Sequence, residues 1–282
     1  MPNAKDLVEE LDNLAVLVVG PAGTGKSVFA SSAPTPAYVL DTGKEMLSYR
    51  GLDFDYDTFP KEGKSWAKMI RAVNSLAKGI VPFSDKPAHK DPKTGIVTPA
   101  VKGVEKVYKT VIIDNLSGAT DIAMLRAMEI DRNRDPVGGP LWNVHYKMVA
   151  NLVEDLIRLL LEIPGNKIAT AHTSTTKDDL TGRILAEPRL QGRLSDVAPQ
   201  WFDEVLYGTP RVGPGGRAEY MLQTVNTGFY KARSRISGKA RKLPDYIPNE
   251  WDYLTLKKRY DPTGATKNVG ATTKPPTKPP AT

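Results

Sequence analysis

Apolar positions along the chain follow two periods, and each change of period marks an element. Ala15–Val19, AVLVV, is an unbroken apolar run, the pattern of a strand buried on both faces of a parallel sheet. AYVL at 37–40, TVIID at 110–114 and KIATA at 167–171 repeat it, and DEVLYG at 203–208 resumes it late in the chain. Between these runs the period lengthens. Trp66, Met69, Ile70, Val73, Leu76 and Ile80 share one face of an expected helix over 66–80. Met148, Leu152, Val153, Leu156, Ile157 and Leu160 form a wide face on a second, from about 142 to 163, which Pro164-Gly165-Asn166 stops. A helix is expected over about 117–132, and a short amphipathic one over 4–14, packing Leu7, Val8, Leu11 and Leu14 beside the first strand. Strand and helix in alternation predict an α/β fold, a mostly parallel central sheet flanked by helices. AEYMLQT at 218–224 and a strand in FYKARSR, 229–235, read as a C-terminal antiparallel hairpin extending that sheet.

Other stretches lack a period. Residues 82–107, rich in Pro, Lys, Gly and Asp, read as a flexible excursion from the core, and everything from 173 to 200 is polar and irregular. LPDYIPNEWDYL offers Tyr246, Ile247 and Trp251 to dock on the body. Beyond it, 261–282 falls to Gly, Thr, Lys and Pro, too little apolar surface to offset its ordering entropy, so a disordered tail is expected after a single domain over 1–260.

Composition narrows the chemistry. The chain of 282 residues has no cysteine, which removes disulfides, thiolate metal sites and thiol nucleophiles. Its formal charge is +7, but three lysines against one aspartate in 261–282 supply +2 of that. A body at +5 is mildly basic, so only local clustering can argue for nucleic acid. The start, MPNAKDLVEELDNL, has no apolar signal segment, and no run approaches a membrane span; an unexported, cytoplasmic protein with no membrane partner is expected.

The most informative stretch is GPAGTGKS, which fits G-x-x-x-x-G-K-[ST] between an apolar strand and a helix start. Gly20, Pro21, Ala22, Gly23, Thr24 and Gly25 would bend the backbone so that successive N–H groups face phosphate oxygens. Lys26 would reach the β- and γ-phosphates and Ser27 would hold Mg²⁺, so ATP and Mg²⁺ are the expected cofactors. VIID ends on Asp114, placed to hold the metal through water, as a Walker B aspartate does. Asn115 stands where many remodelling ATPases carry a catalytic glutamate, so either turnover is slow or the base lies elsewhere. Asp41 and Glu45 follow AYVL at a strand's C-terminal end, where parallel sheets bind ligands. Either could deprotonate the attacking water, and Glu45 is preferred. His172, at the tip of KIATA, could sense the γ-phosphate, with Thr173 and Ser174 as weaker candidates, or be a satisfied structural histidine. Lys231, Arg233 and Arg235 alternate along a predicted strand and would share one face. They could reach a neighbouring subunit's ATP as a trans finger, contact DNA backbone, or simply be solvated.

GPAGTGKS, AYVLDTGKE, VIIDN, IATAHT, FDEVLYG and YKARSR, in this order, resemble the phage-encoded RecA-like P-loop ATPases. These are often labelled AAA-domain or nucleotide-binding proteins, and the group includes RecA-like single-strand annealing recombinases. The resemblance spans about 14–251. It implies a fourth strand inserted between the two Walker strands, a base at the tip of the strand carrying AYVL, and ATP-linked homo-oligomers, ring or filament. It further implies single-stranded DNA as a partner, recombination or replication proteins of phage or host as others, and the host bacterial cytoplasm as location. DTGKE sets Glu45 further from Asp41 than the related pattern does. DNA-holding loops in such proteins correspond here to 132–142, with Arg132, Arg134 and Trp142, and 173–193, with Lys177, Arg183, Arg189 and Arg193. Cations beside an aromatic suit a single strand, although Asp178, Asp179 and Glu187 oppose it. A nucleotide-gated loader with little turnover is the alternative, and a P-loop kinase a more distant one.

Overall fold

A computed structural model describes residues 13–258 except 86–88, 91–96, 99, 101, 178–181, 183, 213–215, 217, 236–243 and 249–251. The expected helix over 4–14, all but its last two residues, lies outside the described residues, as do Arg183, Trp251 and the tail. In chain order come β1 (Ala15–Val19), α1 (Lys26–Ser31), β2 (Ala37–Asp41), β3 (Phe54–Thr58) and α2 (Gly63–Ala77). Then follow β4 (His89–Lys90), β5 (Val97–Thr98), β6 (Thr110–Asp114), α3 (Leu116–Ile130), α4 (His145–Glu162) and β7 (Asn166–Ala171). The remainder is β8 (Thr173–Lys177), β9 (Ile184–Pro188), α5 (Leu194–Val197), β10 (Glu204–Val212), β11 (Ala218–Gln223), β12 (Arg233–Ser234), β13 (Tyr246–Pro248) and α6 (Tyr253–Lys258).

The main sheet runs β13-β11-β10-β1-β7-β6-β2-β3, with β12 pairing β10. Its six strands from β10 to β3 are parallel, and β7 lies between β1 and β6, inserted between the strands that precede the P-loop and end in Asp114. Both faces of β1 are covered. Ala15, Leu17 and Val19 join a core with α2, α3 and α4, while Leu14, Val16 and Val18 join a second core with α1 and α6. That two-sided burial is why the run shows no polar alternation. Leu17 is fully buried, and Leu17→Ala would cost ~2–5 kcal/mol by the usual cavity penalty.

The structure corrects several expectations. Strand β3, FDYDT, was not anticipated: it is a partly exposed strand ending the path, its polar residues masking a role that backbone pairing to β2 decides. The antiparallel hairpin is β10–β11, because β10 continues past Gly208 to Val212 and turns back through β11. FYKARSR holds only the two-residue β12, which pairs with the start of β10 rather than with β11. The stretch 173–200 is not irregular; it contains the hairpin β8–β9 and α5. Helix α4 begins at His145, three residues later than expected, because the Leu141 N–H donates to its imidazole and closes a turn before the helix.

The parallel register aligns strand tips. Val19 is opposite Ala171 and Tyr207, and Asp41 is opposite Asp114. Residues immediately after these strands therefore gather along one edge of the sheet. Among the described residues, no helix is long and apolar enough to cross a membrane.

Candidate nucleotide site at the strand tips

The loop after β1 is held by its own backbone. Gly20 N–H donates to Ala171 O at 3.1 Å, tying the loop to the tip of β7. Gly23 and Gly25 have φ of 77° and 80°, a region costly for residues with a side chain. Gly20 is required for another reason: a Cβ there would lie 2.6 Å from Thr24 Oγ1, and one on Gly208 would lie 2.7 Å from the same atom. Thr24 itself donates to Pro21 O at 2.8 Å.

Lys26 is buried, and its Nζ donates to Pro21 O at 2.8 Å. Burial pushes its pKa down, against the opposing pull of Glu45 and Asp114. Among the described residues it forms no ion pair. A buried ammonium facing a single carbonyl is expensive unless an anion joins it, and a nucleotide phosphate in the Gly20–Gly25 loop is such an anion.

Ser27 Oγ donates to Glu45 Oε2 at 3.0 Å. Glu45 reaches it because Asp41 shapes the intervening turn. Asp41 Oδ1 accepts from the N–H groups of Gly43 and Glu45 at 3.1 and 3.2 Å, and Oδ2 accepts from Thr58 Oγ1 at 2.9 Å. Asp41 is buried with both oxygens engaged, whereas Glu45 is the carboxylate beside the P-loop serine.

Asp114 is fully buried at the tip of β6. Tyr49 OH donates to its Oδ2 at 2.7 Å and Thr170 to its Oδ1. Burial pushes its carboxyl pKa up, and these donors hold it partly down. His172 lies across the site with Nε2 3.9 Å from Glu45 Oε1, and its backbone N–H donates to Ser117 Oγ at 3.0 Å. Burial lowers its pKa, and Lys26 lowers it further, against Glu45. The site therefore favours the neutral imidazole.

The donor set fits Mg²⁺. Ser27 and Asp114 supply hard oxygens, and among the described residues no group of three or more His, Cys, Asp or Glu could cage a metal. Mg²⁺ is suited to this, since it takes ligands from substrate phosphates and keeps several waters.

A P-loop shaped by glycines, a buried unpaired lysine and a strand-end aspartate are the parts of a nucleotide site. The sequence pattern of the AAA domain matches residues 12–236, most of the chain. The chain belongs to the AAA-domain family. Membership implies a nucleotide-binding ATPase, usually with Mg²⁺. No curated protein matches the chain.

The remaining candidates in this AAA domain are placed elsewhere. Lys231 Nζ pairs with Glu187 at 2.6 Å and Asp196 at 2.9 Å. Arg233 donates to the carbonyls of Pro199, Gln200 and Phe202, and Arg235 pairs with Asp203 at 2.6 Å. The three do not line one strand face, because only Arg233 lies in β12. Arg134 donates to the carbonyls of Met128, in the last turn of α3, and of Asp131 and Asn133 after it. Arg132 is exposed on an open cleft of about 590 Å³ that Arg134, Glu62 and Glu129 also line. Trp142 is 71% exposed, its ring 4.5 Å from that of Tyr146. Lys177 is exposed, Arg189 lies 3.9 Å from Asp121, and Arg193 pairs with Glu154 at 3.2 Å.

Sequence reading missed Tyr49, Thr42, Thr58, Thr170 and Gly208. A hydroxyl inside the buried run KIATA was a signal for Thr170, and a glycine ending DEVLYG one for Gly208. Tyr49 and Thr58 carry no local signal, since only the fold brings them to Asp114 and Asp41.

Proposed function

We propose that the chain is a RecA-like, Mg²⁺-dependent ATP hydrolase that assembles into oligomers and acts on single-stranded DNA, in phage recombination or replication. Its catalytic part rests on one observation: Glu45, from the strand beside the one ending in Asp114, touches the P-loop serine. Asn115 leaves the position after Asp114 without a carboxylate, and Glu45 supplies one from the adjacent tip. Lys26 would hold the β- and γ-phosphates, Ser27 and Asp114 would hold the metal, and Glu45 would orient the attacking water and accept its proton. Mg²⁺, when bound, neutralises charge on the phosphate oxygens. His172, beside Glu45, would meet the γ-phosphate end of the ligand.

The DNA part is supported by the motif resemblance and by the exposed Trp142 with Arg132 and Lys177, cations and an aromatic of the kind a single strand engages. Steady-state ATP turnover with and without single-stranded DNA, across a salt series, tests it. Single strands should raise turnover, and the gain should fade as salt rises. A rate indifferent to DNA sinks the DNA reading while leaving the hydrolase reading to Glu45→Gln.

A further inference from the structure

Asn115 is buried at the junction of β6 and α3, and its side-chain amide has one possible orientation. Gly118 N–H donates to Oδ1 at 2.7 Å, the N-cap bond of α3. A backbone N–H is always a donor, so the oxygen must face it. The other end of the amide, Nδ2 with its two hydrogens, then points into the site. It lies 3.3 Å from Glu45 Oε1 and 3.4 Å from His172 Nε2. The main chain at this position is also fixed: Thr42 Oγ1 donates to Asn115 O and accepts from Asn115 N–H at 2.9 Å. A Cβ on Gly43 would meet Asn115 Nδ2 at 2.9 Å, so the turn from β2 passes as close to this amide as its backbone permits.

We propose that Asn115 is a positioning residue whose amide holds the Glu45 carboxylate and the His172 imidazole in one register, so that the two move together. The inference rests on reading Glu45 as the base. It explains why an amide stands here: a carboxylate could cap α3 equally well but would confront Glu45 with a like charge and offer His172 an acceptor in place of a donor.

A consequence for the nucleotide-free protein follows from the hydrogen positions. Nδ2 can only donate, so His172 Nε2 must accept and its proton must sit on Nδ1. His145 supplies the contrast. Its Nδ1 accepts from Leu141 N–H at 2.7 Å, so its proton sits on Nε2, which donates to Asp131 O at 2.9 Å. The chain has three histidines, and imidazole ¹⁵N shifts distinguish the tautomers.

The test is Asn115→Asp, which keeps the cap and exchanges the donor for an acceptor, with Asn115→Ser as a second capping variant lacking the amide. In nucleotide-free wild type, His172 should be the Nδ1–H tautomer and His145 the Nε2–H tautomer. In Asn115→Asp, His172 alone should move its proton to Nε2. Asn115→Ser should stay near the wild-type Tm, Asn115→Asp should lose some stability to the like charge of Glu45 yet remain folded, and in both KM for ATP should hold while kcat falls roughly tenfold or more. A wild-type His172 protonated on Nε2, or wild-type kcat in a folded Asn115→Asp, overturns the proposal. Glu45→Gln run alongside separates the two readings: if it retains full kcat the base assignment fails, whereas the tautomers report on Asn115 independently.

Discussion

Two segments that both read as catalytic in the sequence meet different fates. The turn Asp41–Glu45 and the short 3-10 helix after it, Met46–Tyr49, close on the P-loop: Glu45 reaches Ser27 and Tyr49 reaches Asp114. The segment Tyr230–Arg235 is tied down within its own chain, Lys231 by Glu187 and Asp196, Arg233 by three carbonyls, Arg235 by Asp203. The first follows a parallel strand tip, where the sheet's geometry gathers polar side chains around a ligand site. The second contains only the two-residue β12, antiparallel to the start of β10. Position relative to the parallel sheet, more than charge, separates a group free to meet a ligand from one that secures the fold.

That contrast can be broken at either end. The largest effect is expected at Glu45: Glu45→Gln should lower kcat by about 10²–10⁴, the usual contribution of a positioned general base, with nucleotide binding retained. Stopped-flow or coupled-assay turnover checks this, and an unchanged rate would remove the turn from catalysis. Next is Arg233→Ala, which strips donors from the carbonyls of Pro199, Gln200 and Phe202. It should destabilise the protein by about 1–3 kcal/mol in urea unfolding. A residue serving only a neighbouring subunit would leave the unfolding midpoint untouched.

Lys231→Ala should be milder, roughly 1 kcal/mol, because the pair is partly exposed and Asp196 is largely in water. Its turnover, measured up to the highest protein concentration attainable, where any association is favoured, should be unaffected. A large loss of turnover at unchanged stability would return Lys231 to a trans role.

The smallest effect concerns pH. The folded-state pKa of His172 is depressed, so the folded protein favours the neutral imidazole. The unfolded chain takes the proton first as pH falls. The stability associated with this group is thus present above the unfolded value near 6.5 and lost as pH drops through the folded value. His172→Gln should flatten the fall of Tm between about pH 7 and pH 5, and an identical slope in both proteins would show that other groups carry it.

What could be read from the sequence was set by short-range pattern. The buried runs at 15–19, 37–40, 110–114 and 167–171 declare parallel strands because burial on both faces leaves them mostly apolar up to the tip. GPAGTGKS declares a phosphate loop because its glycines answer to backbone geometry that no other residue meets as readily. Asp114, Asp41 and Glu45 were visible as strand-end carboxylates. Which of the latter two lies beside Ser27 was not, since that depends on Thr58, from β3, and on a turn whose hydrogen bonds the sequence does not announce.

Tertiary structure alone decided the rest. The register of β2 against β6, and of β7 between β1 and β6, brings Glu45, Asn115 and His172 within reach of one another from positions 45, 115 and 172. It also gives Arg134, Lys231 and Arg233 partners within the chain. A charged side chain takes the nearest partner that satisfies it, and the nearest partner is a property of the folded chain.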